Sequence, residues 1–424
     1  MNYSQAIKWL NGFINYEKTP PKSHAELNLE RMRYGLEVLN HSAGKKDQPA
    51  ADVNFFPILI AGTVGKGSTG FFLEQILRSA KISCGFYHSP HIDDIRERIR
   101  VDGKMLPEKK WAAEIAAIQK LLRQKPFPKK LGQPTYFEIL TLLAIQIFSK
   151  KNLRAGIFEI GMGGRLDATN VLNAPLCILT RVDLDHQAFL GNTLRKIARE
   201  KSGIIKSAPV VVSAPQEKSV MKVFRTTAPQ KGRLQIARPT VFQPGLSGKF
   251  QKQNAGNAAL AAQMLREKFY FNLQSAAIKK GLKANGWPGR LDAQLFQKRK
   301  IMMDAAHNPA GCRELIASLR QLKAKPVCLL FSALRDKDSA AMLKILSVLK
   351  IPVIVTSVHH ARTKSLANLA AEAEAFFDKI IPARDTAQGL ELLMRNTAAG
   401  KTALVTGSFY LLGEFRKILN DKAA

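Results

Sequence analysis

The stretch Gly62-Thr63-Val64-Gly65-Lys66-Gly67-Ser68 follows an apolar run at 55–61 and precedes a helical pattern near 68–80. A glycine-rich turn between a buried strand and a helix brings backbone N–H groups and a helix N-terminus close to an anion. Lys66 would neutralise phosphate oxygens, and the hydroxyl of Ser68 or Thr69 would face phosphate or magnesium. The spacing departs from GxxxxGK[ST], which leaves a generic glycine-rich turn as the alternative. The strand-loop-helix setting favours a phosphate loop (P-loop).

Strand patterns alternate with helical patterns on both sides of this loop. The run Asn285-Gly286-Trp287-Pro288-Gly289 is a breaker cluster, which neither a helix nor a strand would continue through. Before it, the predicted elements are helices 4–16 and 24–40, strand 55–61, helix 68–80, strand 82–87, helices 107–123 and 136–150, strands 154–160 and 176–182, helix 193–203, strand 209–213, and helices 253–268 and 274–285. After the cluster they are strand 300–304, helix 309–322, strand 326–331, helix 338–349, strand 352–356, helix 365–377 and strand 402–406. This alternation predicts an α/β protein with largely parallel, covered sheets. We place the domain boundary at the breaker cluster, which gives domains 1–287 and 288–424.

The charge of the chain is unusual, whereas its composition is not. With 46% hydrophobic and 23% charged residues, the 424-residue chain is typical of a folded soluble protein. Its 65 Lys and Arg against 33 Asp and Glu leave a net charge of +32, which attracts anions. The positive charges are scattered and no basic run is interleaved with aromatic residues, so nucleic-acid binding is disfavoured.

The cysteine pattern points to a reducing compartment. Cys84, Cys177, Cys312 and Cys328 lie far apart and form no CxxC pair, which argues against a structural zinc site. The N-terminus lacks the pattern of a signal peptide, and no window is long enough to span a bilayer. We therefore predict a soluble cytoplasmic protein with no membrane partner.

Three further segments carry side chains suited to chemistry. Glu159 ends a predicted strand and is followed by a glycine-rich segment, at the sheet edge where open α/β folds bind ligands. A carboxylate there is placed to hold Mg²⁺, although a solvated ion pair is the simpler alternative. His186 ends another strand and Lys201 lies on the next helix. A lone histidine or lysine is weak evidence for a functional site. After the breaker cluster, Arg290 and the run Asp304-Ala305-Ala306-His307-Asn308-Pro309 offer further polar groups.

Taken together, these segments resemble the folylpolyglutamate synthase and dihydrofolate synthase family of the Mur ligase superfamily. The resemblance covers nearly the whole chain, and it lies in the order and spacing of several motifs. They are the loop, Asn28-Leu29-Glu30-Arg31-Met32, Ser89-Pro90-His91, Glu97-Arg98-Ile99-Arg100, Thr135-Tyr136-Phe137-Glu138, Gly163-Gly164-Arg165-Leu166-Asp167-Ala168-Thr169-Asn170, Leu184-Asp185-His186, Arg199-Glu200-Lys201, Asp304 to Pro309, Asp336-Lys337-Asp338 and Thr406-Gly407-Ser408-Phe409-Tyr410. It implies an N-terminal Mur-ligase-type ATPase domain and a smaller, Rossmann-like C-terminal domain.

The resemblance also implies an activity and its cofactors. ATP would phosphorylate a substrate carboxylate, and the amine of L-glutamate would displace phosphate to leave an amide. Carried over by position, the ATP ligands are Thr63, Val64, Gly65, Lys66, Gly67, Ser68, Asn254, Arg290 and Asp304. Two Mg²⁺ ions are implied, one held by Ser89 and Glu159, the other by Glu159, His186 and a carbamylated Lys201. The residues implied to be catalytic are Lys66, Glu159, His186 and Lys201.

The remaining implied contacts are with the organic substrates. Glutamate would be met by Asp304, His307 and Ser408. The pterin of a folate or of dihydropteroate would lie against Glu26, Leu27, Asn28, Thr135, Tyr136, Phe137, Glu138, Leu166, Asp167 and Ala168. The element at 135–138 favours the bifunctional form, although it can also be read as a helix start with a buried aromatic pair. We expect a monomer.

Two departures from the family pattern accompany two alternative functions. Val64 stands where the family's loop usually has asparagine, and Ala305 replaces a frequent glycine. One alternative is another Mur-type amide ligase, disfavoured because only about 55 residues precede the loop, too few for a separate nucleotide-substrate domain. The other is a catalytically impaired, basic protein that binds ATP or nucleic acid, motivated by Val64 and by the charge of +32.

Overall fold

The computed structural model describes residues 1–21, 23, 26–42, 53–206, 209–228 and 234–423. It divides the chain into two compact units. The first comprises Met1–Ser89, Arg96–Thr240 and Gln253–Leu282, and the second comprises Pro90–Ile95, Val241–Lys252 and Lys283–Ala424. The second unit thus includes two short segments that precede its main body in sequence. The predicted boundary between 287 and 288 stays a prediction.

The first unit is built on a largely parallel sheet. Its strands are β1 (Phe56–Ala61), β2 (Cys84–Tyr87), β3 (Ile99–Val101), β4 (Lys104–Met105), β5 (Ala155–Glu159), β6 (Leu176–Leu179), β7 (Val210–Ser213) and β8 (Leu234–Ala237). Their order is β4-β3-β2-β5-β1-β6-β7-β8, and only the pairs β2–β3 and β3–β4 are antiparallel among those described. Strand β1 lies between β5 and β6, so every residue after Phe56 in it is buried. The residues that follow β1 are therefore held by neighbours on both sides.

The helices of the first unit lie before, between and after these strands in sequence. They are α1 (Tyr3–Asn11), α2 (Leu29–Ser42), α3 (Lys66–Ser79), α4 (Glu108–Gln124), α5 (Tyr136–Lys150), α6 (Gln187–Leu190), α7 (Leu194–Ser202), α8 (Lys218–Thr227), α9 (Gln251–Phe269) and α10 (Ser275–Leu282). The helix expected at 4–16 is shorter in the structure. Helix α1 ends at Asn11, and Ile14 forms a β-bridge with Thr135. The helix expected at 24–40 begins at Leu29, and residues 24 and 25 lie outside the described residues.

The second unit is a doubly wound sheet. Its elements are β9 (Arg290–Phe296), β10 (Arg299–Asp304), α11 (Pro309–Gln321), β11 (Pro326–Phe331), α12 (Ser339–Leu346), β12 (Val353–Thr356), α13 (Leu366–Glu374), β13 (Ile380–Ala383), α14 (Thr386–Arg395), β14 (Thr402–Thr406) and α15 (Phe409–Ala423). The strand order is β13-β12-β11-β14-β10-β9, with β9 antiparallel to β10. The side chains of alternate strand residues pack into two separate buried layers. Met302 and Leu404 pack with α11, α12 and α13, whereas Met303 and Val405 pack with α14 and α15.

No helix within the described part of the chain is both long enough and apolar enough to cross a membrane.

Candidate active site

The glycine-rich loop lies at the carboxyl end of the central strand β1. The backbone N–H groups of Thr63 and Val64 donate to the carbonyl of Arg181, at 2.8 and 3.3 Å. The Thr63 hydroxyl donates to the carbonyl of Asp183 at 2.9 Å and accepts from the Asp183 N–H at 3.0 Å. These four bonds fasten the first half of the loop to the segment that follows β6. The loop is therefore held in place before any ligand binds.

The second half of the loop opens helix α3, which begins at Lys66, two residues earlier than expected. Gly65 caps this helix with φ of 91°, in the left-handed region that favours glycine. A Cβ at Gly65 would lie 2.3 Å from Oδ1 of Asn254. Gly67 and Ser68 are buried in the first turn of this helix. This is the arrangement in which a helix N-terminus binds an anion.

Two lysines donate to the carbonyl of Gly62, and a carboxylate lies near one of them. That carbonyl accepts from Nζ of Lys66 at 3.2 Å and from Nζ of Lys201 at 2.9 Å, although Lys201 lies 139 residues further along the chain. Oε1 of Glu159, at the end of the neighbouring strand β5, lies 3.9 Å from Nζ of Lys66. Glu159 and Lys201 are both only 5% exposed. Three of the four predicted catalytic residues thus converge at the loop.

The segment from Gly161 to Asn170 is organised by Asp167. Its carboxylate accepts the backbone N–H groups of Gly161 and Met162 at 3.0 Å, and both the N–H and the hydroxyl of Thr169 at 3.0 and 2.7 Å. Burial raises the pKa of Asp167, and these hydrogen bonds oppose that rise. The carboxylate therefore shapes its own turn. Leu166 and Ala168 are also predicted to contact the substrate. Leu166 is half-buried and Ala168 is buried.

The same segment packs against the helix that carries Lys201. A Cβ at Gly164 would lie 2.7 Å from the carbonyl of Glu200 and 2.9 Å from that of Lys201. Asn170 donates to the carbonyl of Gly203 at 3.1 Å. The glycine at 164 thus permits the close approach that fixes the end of α7.

The remaining predicted metal ligands are Ser89 and His186. Ser89 lies half-buried just beyond β2, and His186 precedes α6 with φ of 48° and a side chain that is one-third exposed. Nε2 of His186 lies 4.0 Å from Oδ2 of Asp185. Across the described ranges, no three His, Cys, Asp or Glu side chains are grouped closely enough to hold a metal ion by themselves. The predicted sets contain only two such residues, Glu159 and His186, beside a serine and a carbamylated lysine.

The predicted pterin residues at 135–138 form the start of α5. The Thr135 hydroxyl accepts the N–H of Glu138 at 3.2 Å, and the Glu138 carboxylate accepts the N–H of Thr135 at 2.7 Å, a reciprocal capping box. Arg31 forms a buried ion pair with Glu138 at 2.9 Å and donates to the carbonyl of Glu26 at 2.6 Å. Tyr136 is buried, and the half-buried Phe137 ring packs on the backbone at Gly161. Leu27 and Asn28 follow Glu26 and are half-buried.

In the second unit, the predicted residues lie at the carboxyl ends of β10 and β14. The Asp304 carboxylate accepts the N–H groups of Leu291 and Ala306, both at 3.0 Å, and burial raises its pKa to about 6 against the opposing charge of Arg290. The Arg290 guanidinium lies 5.1 Å from the ring centroid of Phe409.

The other two predicted glutamate contacts flank the same strand ends. Nδ1 of His307 lies 2.9 Å from the carbonyl of Ala305, and its ring packs 5.2 Å from that of Phe409. The Ser408 hydroxyl accepts the N–H of Tyr410 at 3.2 Å. Phe409 therefore holds both Arg290 and His307 in place.

Some of these supporting residues were absent from the sequence-based predictions. Arg181 and Asp183 hold the loop through backbone atoms, which leave no mark in side-chain motifs. Phe409 stood within a motif but was given no role, and no short-range signal links it to Arg290 or His307.

Comparisons with known proteins address the family and the fold of the chain rather than single residues. A family model described as "Mur ligase, glutamate ligase domain" matches residues 289–409. The chain is 30% identical over 451 residues to a dihydrofolate synthase/folylpolyglutamate synthase of Bacillus subtilis, covering 98% of this chain and 99% of that protein. The chain belongs to the folylpolyglutamate synthase and dihydrofolate synthase family.

Solved structures of family members share the fold throughout. A Mycobacterium tuberculosis folylpolyglutamate synthase complexed with ADP is 26% identical, with a TM-score of 0.84 over 98% of both chains. E. coli FolC in complex with DHPP and ADP is 27% identical, with a TM-score of 0.83 over 100% of both chains. The predicted family, the α/β fold class and the assignment as a ligase are thereby confirmed. The roles of individual residues stay predictions.

Proposed function

We propose that this protein uses ATP to join L-glutamate to a folate, and also to dihydropteroate, through an acyl phosphate. A carboxylate oxygen of the pterin substrate attacks the γ-phosphorus of ATP, and ADP leaves. The glutamate amine then attacks the acyl carbon, phosphate leaves, and the nitrogen loses a proton to give the amide. Such chemistry needs charge neutralisation and positioning more than covalent help from the protein.

The observation that carries the proposal is that Lys66 and Lys201 both donate to the Gly62 carbonyl, while Glu159 lies 3.9 Å from Nζ of Lys66. Lys66 sits at the first turn of α3, where the backbone N–H groups at the start of a helix and the helix dipole favour a bound anion. A triphosphate bound there would have its negative charge neutralised by the Lys66 ammonium and by those N–H groups. Because the Thr63 and Val64 N–H groups are fastened to Arg181, the loop needs little reorganisation.

The donor set near the loop fits Mg²⁺ provided that Lys201 is carbamylated. An ammonium group cannot ligate a cation, whereas a carbamate gives Lys201 an oxygen donor of the kind that Mg²⁺ prefers. Glu159 would be shared between two ions, with Ser89 completing one site and His186 and carbamylated Lys201 the other. When bound, the ions would reduce the negative charge on the reacting phosphate and carboxylate oxygens.

We further propose where the substrates bind. The pterin would lie against residues 26–28, 135–138 and 166–168, which Arg31 and Asp167 hold in place through the bonds described above. Glutamate would be met by Asp304, His307 and Ser408, and Asn254, Arg290 and Asp304 would contribute to ATP binding. Support comes from the family: the E. coli FolC structure contains DHPP and ADP.

A substrate-omission assay tests the ligase function. ADP release is measured with ATP, Mg²⁺, L-glutamate and either dihydropteroate or tetrahydrofolate, and each component is left out in turn. Release that requires every component supports the proposal, and activity with both pterins supports the bifunctional form. ADP release that ignores glutamate and pterin, or no release at all, would instead favour the impaired ATP-binding alternative.

We also propose that the protein acts as a monomer in the cytoplasm. All four cysteines are buried free thiols, the state expected in a reducing compartment. Light scattering during size-exclusion chromatography tests the monomer directly, since a dimer elutes at twice the mass.

A further inference from the structure

The second unit carries a groove that runs along β9 and β10, from the amino ends of the parallel strands to Arg290 and Leu291, which lie beside Asp304. Its volume is about 990 Å³. Its lining includes the starts of three neighbouring strands, β10, β11 and β14, together with residues 245–247 and 285–287. Pockets of this size accommodate organic ligands.

Four lysines surround this groove. Lys300 and Lys401 are adjacent, since the Lys300 N–H donates to the Lys401 carbonyl at 3.0 Å, and Lys323 and Lys325 precede the next strand, β11. All four are exposed, and no carboxylate among the described residues pairs with any of them. The acidic lining residue, Asp292, is already paired with Arg416 at 2.9 Å. The groove therefore presents a concentrated, uncompensated positive charge.

Protection of a sheet edge does not account for these lysines. Lysines often guard edge strands against pairing with other chains. Here β11, β14 and β10 are consecutive interior strands, and the sheet edges are β13 and β9. The groove walls are also well fixed, because Gly245 packs against the backbone of Lys283 and Ala284, and the Lys249 N–H donates to Ser318 at 3.1 Å. A fixed basic groove is suited to binding an anion.

We propose that this groove binds the oligo-γ-glutamate tail of a folate, a chain of carboxylates separated by methylene pairs. The proposal rests on the proposed function, which makes such tails the product of this enzyme. Leu291, Met302 and Val327 line the groove and offer apolar surface to the methylenes, while the lysines face the carboxylates. Tail binding there would give long-chain folates a second point of attachment on the enzyme.

The lining disfavours nucleic acid as the occupant. Single strands bind by stacking their bases on exposed aromatic side chains. The aromatic residue of the lining, Trp287, is only 6% exposed and offers no such platform. The basic groups of the lining are four lysines, which act as point charges, and a single arginine, Arg290, whereas phosphate chains are typically gripped by several arginine forks.

The test measures binding of fluorescein-labelled penta-γ-L-glutamate to the full chain by fluorescence anisotropy. The variant K300Q/K325Q/K401Q removes three groove lysines. The control K344Q/K379Q/K417Q removes the same charge from exposed positions elsewhere in the second unit. We expect the groove variant to weaken binding by at least about tenfold and the control by less than about twofold, because local charges dominate over distant ones at physiological salt.

Three results would overturn the proposal. They are undetectable binding to the unaltered protein, equal weakening by both variants, and tighter groove-dependent binding of an oligothymidylate of equal charge. ADP release with a monoglutamyl folate is measured on the same proteins, and we expect both variants to retain it. Undetectable tail binding with normal ADP release refutes the groove alone, whereas absent ADP release with intact tail binding refutes the ligase proposal.

Discussion

Gly65 shows how one residue sets the shape of the loop. Its φ of 91° is one reason for glycine, and the 2.3 Å that would separate a Cβ from Oδ1 of Asn254 is another. The first is a backbone cost that any side chain would incur, and the second is a clash specific to this place. Gly400 provides a comparison, because its φ is 78° and nothing lies within 4 Å of a Cβ there.

We predict that Gly65→Ala destabilises the protein by about 2–3 kcal/mol, and that Gly400→Ala costs about 1 kcal/mol from backbone strain alone. Hydrogen exchange measured by mass spectrometry gives the stability of each unit separately. Gly65→Ala should also weaken ADP binding by at least about tenfold, because the first turn of α3 shifts. Equal costs for the two substitutions would mean that Asn254 moves aside freely.

Val64 is the loop residue that departs from the family pattern. Its backbone N–H, rather than its half-buried side chain, makes the bond to the Arg181 carbonyl. We therefore expect Val64→Asn to keep or raise the rate of ADP release, since it restores a polar group near the phosphates. Val64→Ala serves as the control for loss of the side chain. A fall of more than about tenfold in the asparagine variant alone would show that this loop is adapted to valine.

Lys201 is predicted to act through a carbamate. Lys201→Ala should reduce turnover by at least about a hundredfold, because both the second metal site and the bond to the Gly62 carbonyl are lost. Added formate or acetate should restore part of the activity by supplying a carboxylate. The matched control is Lys196→Ala, an exposed lysine on the same helix. Failure of rescue, together with no carbamate resonance after incubation with isotope-labelled bicarbonate, would remove this role and leave Lys201 a structural residue.

At the scale of elements, the start of α5 depends on one carboxylate with two partners. Glu138 accepts from Arg31 and from the Thr135 N–H, and both of its neighbours are buried. We predict that Glu138→Gln costs about 3 kcal/mol, because it leaves the buried Arg31 charge without its counterion. Glu114→Gln is the comparison, since Glu114 pairs with Lys150, whose side chain is 51% exposed, and should cost less than about 1 kcal/mol. Hydrogen exchange measures the unfolding free energy of both variants. Similar losses in the two would contradict the importance assigned to Glu138 in this cap.

The elements predicted correctly are those with strong local signals. Helix α5 at 136–150 and strands β11 and β14 match the expected ranges, because each is a regular apolar pattern bounded by turn residues or a cap. The regular helices α8, α14 and α15 were not predicted, and neither were several short or irregular edge strands. Strand β4 has two residues, β13 contains Pro382, and β9 exposes Leu295 at 75% where alternation would bury it. Such strands exist because of their neighbours, which no local pattern encodes.

The same limit applies to the site. The loop was predictable because its glycines and Lys66 are adjacent in sequence, and a strand and helix flank them. The bond between Lys201 and the Gly62 carbonyl was not predictable from local pattern, because tertiary folding brings the two together across 139 residues. Only the resemblance to a family placed Lys201 in the site at all.

At the scale of the whole molecule, the two units follow one plan. Each places chemistry-bearing groups at the carboxyl ends of parallel strands, Glu159 at the end of β5 in the first and Asp304 at the end of β10 in the second. In the second unit the proposed tail groove extends from the amino ends of β10, β11 and β14 to Arg290 and Leu291 beside Asp304. Much of the net charge of +32 remains scattered, but the proposed tail binding would give the four lysines of this groove a specific role.

The stability of the second unit should depend on pH through Asp304. Burial raises the pKa of Asp304 from 3.8 to about 6, so in the folded state the protonated form is favoured. Between about pH 4 and 6 the folded protein therefore holds a proton that the unfolded chain has released. The free energy of unfolding then falls as pH rises through this window and levels off above it. The size of the fall is on the order of 3 kcal/mol.

Asp304→Asn isolates this contribution, because asparagine keeps one acceptor oxygen and cannot titrate. Its loss of the second backbone bond adds a cost that does not vary with pH. We expect the unaltered protein to lose about 2–3 kcal/mol of unfolding free energy relative to the variant between pH 4 and pH 7. Hydrogen exchange in residues 283–423, corrected for the intrinsic effect of pH, measures it. A constant difference would mean that Arg290 holds the Asp304 carboxylate ionised throughout, and that its charge is available to substrates across the whole range.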